Sequence, residues 1–292
     1  MTYSGARGRR LLQSSSYIGF NPAIGQLLLS KSSSSSDYQA LQAQFDRKLA
    51  SGLQTLFSYT WSHSIDTGSS SSLEALLATP TDLNRGSSDF DVRHSFSAAL
   101  NYSFSSAVEM PVIRKAVRGW SLASILLARS ATPVDVVDGN LQLPPSFIEP
   151  RPDRVPGVPL YLYDSSLPGG RGINPAAFAD PPNDPAARLA FRQGTLGRNA
   201  LRGFGALQWD LALHRHFALG RRFELQFRAE FFNVLNHPSF GNPVPNLGAF
   251  SFGQSTQMLG KSLGGATGNG GFNPIYQIGG PRSGQFALSL SF

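Results

Sequence analysis

Over most of the chain, apolar side chains recur at every second position. This is the spacing of strands with one apolar and one polar face, not that of helices. Phe223, Leu225, Phe227, Ala229 and Phe231 alternate with Glu224, Gln226, Arg228 and Glu230. A helix would scatter those charges around its circumference, and the run carries no cap signal. Residues 207–217 alternate in the same way, with Arg215 as one basic intruder, and the tight connection 218–222 with Gly220 makes the two runs a long hairpin. Earlier, Leu41, Ala43, Phe45 and Leu49 alternate with Gln42, Gln44, Asp46 and Lys48. Phe57, Tyr59 and Trp61 then alternate with Ser58, Thr60 and Ser62. Further strands are read at residues 92–104 and 285–292, and less clearly at 24–30 and 120–130. About eight strands result, several long enough to match the nine to eleven residues of a tilted strand crossing a bilayer.

The connections alternate in length. Those at 50–52 and 218–222 are short and the one at 105–119 is intermediate, whereas 66–89, 131–205 and 236–283 are long. In an up-and-down sheet the long ones fall at one end, as in outer-membrane barrels. Loops of that length would count against a soluble all-β fold. Aromatic residues cluster near strand ends (Tyr59 and Trp61 toward the long loops; Tyr102, Phe104, Trp120, Phe217, Phe223 and Phe292 toward the short turns), where bilayer interfaces select them. The expected fold class is therefore all-β: an antiparallel up-and-down transmembrane β-barrel with short periplasmic turns and long extracellular loops. Residues 1–23 read as a poorly defined N-terminal segment and residues 24–292 as the barrel portion, with the Ser-rich 31–36 as a further short outward loop.

Composition sharpens this. Of 292 residues only 15% are charged, against roughly 25% in soluble domains, while 11% are aromatic and none is cysteine. A lipid face excludes charge, and Ser, Gln and Asn supply the other face. Without cysteine there is no disulfide, thiolate metal site or cysteine nucleophile. No apolar run approaches the length of a spanning helix, and the basic start lacks the apolar core of a signal peptide. The net charge of +7 comes largely from single loop arginines, with one dense cluster at Arg7, Arg9 and Arg10. Nucleic-acid binding would want a basic stripe interleaved with aromatics, so no nucleic-acid partner is expected.

Chemistry-bearing groups read as structural. His214 and His216 share a strand face, but without acids at ligand spacing they are lumen side chains, and no metal site is expected. Glu224, Arg228 and Glu230 read as a ladder of lumen charges reaching Asp210, Arg93 and Asp91. The glycines of 264–271 lack the Lys-Ser/Thr ending of a phosphate cradle and read as loop. No catalytic residue and no cofactor are expected, and the chain does not read as an enzyme.

Several segments carry a resemblance. Residues 53–66 (LQTLFSYTWSHSID), 88–94 (SDFDVRH), 194–199 (GTLGRN) and 227–237 (FRAEFFNVLNH) resemble TonB-dependent outer-membrane receptors of the Oar-like type, in order along the chain. The resemblance implies an outer-membrane location and the C-terminal barrel part of a larger receptor, since plug, TonB box and signal peptide have no counterpart here, with a truncation point in 1–23. Such transporters carry about 22 strands. It also implies that outward loops capture a solute, with Tyr161, Tyr163, Arg171, Phe178, Arg198, Asn199 and Arg202 as contacts. The partners it implies are outer-membrane lipid, the barrel-assembly machinery through the strand ending at Phe292, and the TonB complex through N-terminal parts. A structural or adhesive barrel without transport is the alternative, and a soluble sugar-binding or hydrolytic sandwich is a third.

Overall fold

A computed structural model describes residues 1–21, 23–48, 52–69, 73–75, 84–104, 118–139, 150–181, 194–220, 222–263 and 279–292. Eight long strands form its frame: β1 (Thr2–Asn21), β2 (Ile24–Lys48), β3 (Leu53–Asp66), β4 (His94–Ser103), β5 (Trp120–Arg129), β6 (Ala206–Leu219), β7 (Phe223–Phe232) and β8 (Ser283–Ser291). Each pairs antiparallel with the next in sequence, in one up-and-down sheet. Leu73–Ala75 adds in parallel to β1, and Gly86–Ser87 to the end of β3. Among the described residues β1 and β8 do not pair with each other.

The register sorts side chains into two faces. One row across six strands runs Leu53, Tyr102, Leu122, Leu213, Ala229 and Phe286. The adjacent row, on the opposite face, runs Gln54, Asn101, Ala123, Ala212, Glu230 and Gln285. Phe286 and Leu288 are 70% and 71% exposed, an apolar surface that a bilayer covers. Two polar groups on this face have local solutions. Ser124 accepts a hydrogen bond from Trp209 Nε1 at 2.8 Å. Arg215, the intruder in the alternation, lies 5.0 Å from the Trp120 ring centre and 4.4 Å from that of Phe217, so aromatic faces shelter its charge near the short-turn end.

On the polar face the charges pair locally. Arg228 meets Glu230 at 2.6 Å and His216 meets Glu224 at 2.8 Å, while Gln208 donates to Asp210. Asp91 and Arg93 are not rungs of this ladder, contrary to expectation. β4 begins at His94, so both residues fall in the preceding loop and serve a different network.

The N-terminal third corrects two further readings. Residues 1–23 are not an undefined segment, because residues 2–21 form β1. The 31–36 stretch is not a loop either: Ser32, Ser34 and Ser36 pair with Leu12, Leu11 and Gly8, joining the two expected short strands into β2. The physical reason is that β1 and β2 continue past the last pairing with β3, Ser36 to Asp66. At about 3.3 Å per residue β2 reaches roughly 80 Å, well over a bilayer core of about 30 Å. Beyond lipid, nothing demands alternation, and serines suit both faces. The basic cluster sits at a bulge where Arg10 takes φ 54, and Arg7 and Arg9 both reach Asp37. The count of about eight long strands thus holds with different membership.

The long connections 67–93, 130–205 and 233–282 all leave from the end where β3, β5 and β7 finish. Gly52 (φ 83) and Gly220 (φ 88) mark the tight turns at the other end. The glycine run 264–271 and most of 105–119 lie outside the described residues. The buried apolar cluster belongs to the loops, not the strands: Val134, Val136, Ile173, Ala177, Phe178, Leu196, Leu201 and Phe252.

Candidate functional site: the loop cap

That cluster makes the long loops a folded cap. Three short antiparallel pairs build it: Pro133–Val134 with Leu201–Arg202, Asp153–Arg154 with Phe178–Ala179, and Tyr161–Tyr163 with Arg171–Ile173. The two longest loops interlock through backbone bonds, Leu247 N–H to Val137 O at 2.9 Å and Ile173 N–H to Gly253 O at 2.9 Å. The Phe178 and Phe252 rings meet edge to face at 5.9 Å.

Two arginines bolt this cap to the strands. Arg198 Nη1 donates to Asp66 Oδ1 at 2.6 Å, and its Nη2 donates to Ser69 at 2.7 Å and lies 3.3 Å from Asp89. Asn199, at φ 53, gives its amide to Ser87 O and Asp89 Oδ1, both at 2.7 Å, and its backbone N–H to Asp135. Arg202 pairs with the fully buried Asp91, which also accepts from Ser64 N–H at 2.8 Å and Arg93 Nε at 2.9 Å. Burial alone would raise the Asp91 carboxyl. The bonds from Arg202, Ser64 and His63 outweigh it and hold the group below the usual carboxylate value. Asp135 goes the other way: burial pushes it up, and Asn199 N–H, Arg151 and Arg198 only partly offset this. Gly86 lies so close to the 198 backbone that a Cβ would sit 2.3 Å from Arg198 O, so only glycine fits.

The seven expected ligand contacts therefore separate. Arg198, Asn199 and Arg202 come together, but as the bolts between cap and strands. Phe178 is part of the cap core. Tyr161 O–H donates to Arg202 O at 3.1 Å and accepts from Arg202 N–H at 2.8 Å, while Arg171 lies 4.7 Å over its ring and donates to Gly203 O. Tyr163, 77% exposed, faces solvent.

Sequence reasoning passed over Arg129 at the end of β5. With Phe204 and Phe240 it borders a cleft of about 410 Å3 between strand end and cap. The available signal was a lone charge closing an otherwise uncharged strand. Among the described residues, no group of three or more His, Cys, Asp or Glu side chains is placed to hold a metal ion.

An eight-stranded antiparallel meander with one apolar face and all its long loops at one end has the features of an outer-membrane β-barrel wall. The family model described as "Outer membrane beta barrel domain" matches residues 2–264, and the chain belongs to that family. The protein is accordingly an outer-membrane β-barrel protein. Among solved structures it is similar to the outer membrane transporter YddB from Escherichia coli, with 11% identity and a TM-score of 0.47 over 88% of this chain. The chain spans 28% of that transporter. No curated protein matches it.

Proposed function

We propose that this chain is the C-terminal barrel part of a TonB-dependent outer-membrane receptor of the Oar-like type, which captures a solute through its outward cap. The observation that carries this reading is the cap itself: the long connections have their own apolar core and are bolted to the strand ends by Arg198 and Arg202. A rigid outward surface is what selective capture needs. The segments that resemble the receptor family agree with it, because three of them meet in space: Asp66, Asp89 with Asp91, and Arg198 with Asn199 form one network. Coupling to the TonB complex runs through N-terminal parts, and no catalytic step is proposed. The exposed edge strand β8 and Phe292 would be read by the barrel-assembly machinery during insertion.

The test compares competitive growth of strains with and without the gene, in TonB-positive and TonB-null backgrounds. A cost of deletion confined to TonB-positive cells supports uptake. An equal cost in both backgrounds supports the second reading, an adhesive barrel without transport. The feature favouring that reading is the β1–β2 hairpin, which continues beyond the Ser36–Asp66 pair and presents exposed Leu27, Leu28 and Leu29.

A further inference from the structure

The cleft at the end of β5 is bordered by Arg129, Gly169, Phe204, Leu207, His237 and Phe240. Register pairs Arg129 with Ser95 and Ala206, in line with Thr60 and Gln42 on the polar face of the sheet. The cleft lies where the strand ends meet the cap, with Arg129 on the polar face and Leu207, in register with Ala128, on the apolar one.

Arg129 differs from its neighbours. Arg151, Arg171, Arg198 and Arg202, all buried or half-buried in the cap, have acceptors for their guanidinium groups. Half-buried Arg129 has none among the described residues. With no acceptor among the described residues, the planar fork of donors on Arg129 faces the cleft in a form suited to an incoming oxyanion.

Beside it stands a fixed aromatic wall. The Phe204 and Phe240 rings lie 5.4 Å apart, and Arg171 covers Phe204 at 5.0 Å. Both rings press on bare backbone at Gly169 (φ 70). A Cβ there would lie 2.6 Å from Phe204 and 3.0 Å from Phe240. The cleft therefore offers a cation at one side and a rigid apolar surface at the other, within the size range of small-ligand sites.

We infer that this cleft binds a small organic carboxylate attached to a flat apolar group. The carboxylate takes paired N–H···O bonds from Arg129, with His237 able to supply another donor, and the apolar part packs on Phe204, Phe240 and Leu207. This rests on the reading that the cap captures a solute, and it names the class of that solute.

The test is fluorine NMR of para-fluorobenzoate added to the full chain purified in detergent. Line broadening that unlabelled benzoate reverses is expected, with para-fluorobenzyl alcohol broadened far less and inorganic phosphate failing to compete at equal concentration. Arg129→Gln should weaken binding roughly tenfold or more, Arg129→Lys less, each checked for heat-modifiable migration like the parent. Should Arg129→Gln fail to fold, the acid-against-alcohol comparison on the parent chain and Phe240→Ala carry the test. Equal binding of the alcohol, unchanged binding by a folded Arg129→Gln, or no broadening by the parent chain overturns the inference. Competition by phosphate at equal concentration assigns Arg129 to an oxyanion alone and overturns the aromatic part. If benzoate binds as described while the growth comparison shows no TonB dependence, the uptake reading falls and this site stands.

Discussion

Arg198 Nη1 lies 2.6 Å from Asp66 Oδ1, across 132 residues of sequence, and the two side chains are only 9% and 6% exposed. Removing one partner from a buried ion pair leaves the other charge stranded, at a cost of about 3–5 kcal/mol. Arg198→Ala should therefore detach the 194–203 segment from the end of β3 without unfolding the sheet. Limited proteolysis should cut within the cap, while heat-modifiable migration on a gel persists. An uncut cap would refute the assignment.

The two unusual cap carboxyls predict a pH profile with opposite limbs. Asp91 is held below its usual value, so its contribution is present above about pH 4 and is lost as pH falls through the lowered value. Asp135 is raised, so its contribution is full below about pH 4 and is lost as pH rises through the raised value. Cap stability, followed by near-ultraviolet circular dichroism on heating, should peak in mild acid. Asp135→Asn should flatten the limb that falls above about pH 4 and leave the acid limb intact.

Ser124, on the apolar face, is the acceptor of Trp209 Nε1. Ser124→Ala leaves an indole N–H in hydrocarbon and should cost about 1–3 kcal/mol. Denaturant titration of the protein in lipid vesicles, read by tryptophan fluorescence, measures it. Ser124→Thr should restore most of the loss.

Asn233 ends β7 at φ 49, and its side chain donates to His237 O at 3.0 Å and Gly280 O at 2.7 Å while accepting from His237 N–H. An alanine there loses those bonds and pays about 1–2 kcal/mol for the left-handed backbone. Asn233→Ala should raise hydrogen exchange at residues 236–240 and 279–282. Asn233→Gly, which relieves only the backbone strain, should recover a minority of the protection.

Lipid made much of this fold legible. Where a strand crosses the bilayer, one face must be apolar, so Phe223 to Phe231 and Phe286 to Phe292 announce themselves by alternation. Where β1 and β2 leave the bilayer the rule lapses, and the serines around Lys31 looked like a turn. The asparagines of the FFNVLNH segment carried a readable signal, since Asn233 and Asn236 both adopt the positive φ that asparagine tolerates. The roles of Arg198 and Arg202 were hidden for a different reason. Their importance showed in the motif, but Asp66 and Asp91 lie more than a hundred residues away, and no local pattern distinguishes a loop arginine that holds a ligand from one that holds a strand. Arg129 was invisible because its meaning lies in its place beside Phe204 and Phe240 and in the lack of an acceptor among the described residues, which only the assembled cap reveals.

The bolts at Arg198 and Arg202 have a mechanical consequence. The segment that carries them runs directly into β6, while Asp66 terminates β3, so the cap acts as a cross-brace spanning β4 and β5 at the outer rim. Strands tied in this way cannot splay apart at that end. Any separation of strands at that rim is thereby left to the flanks of the described sheet, toward the β1–β2 hairpin or past β8.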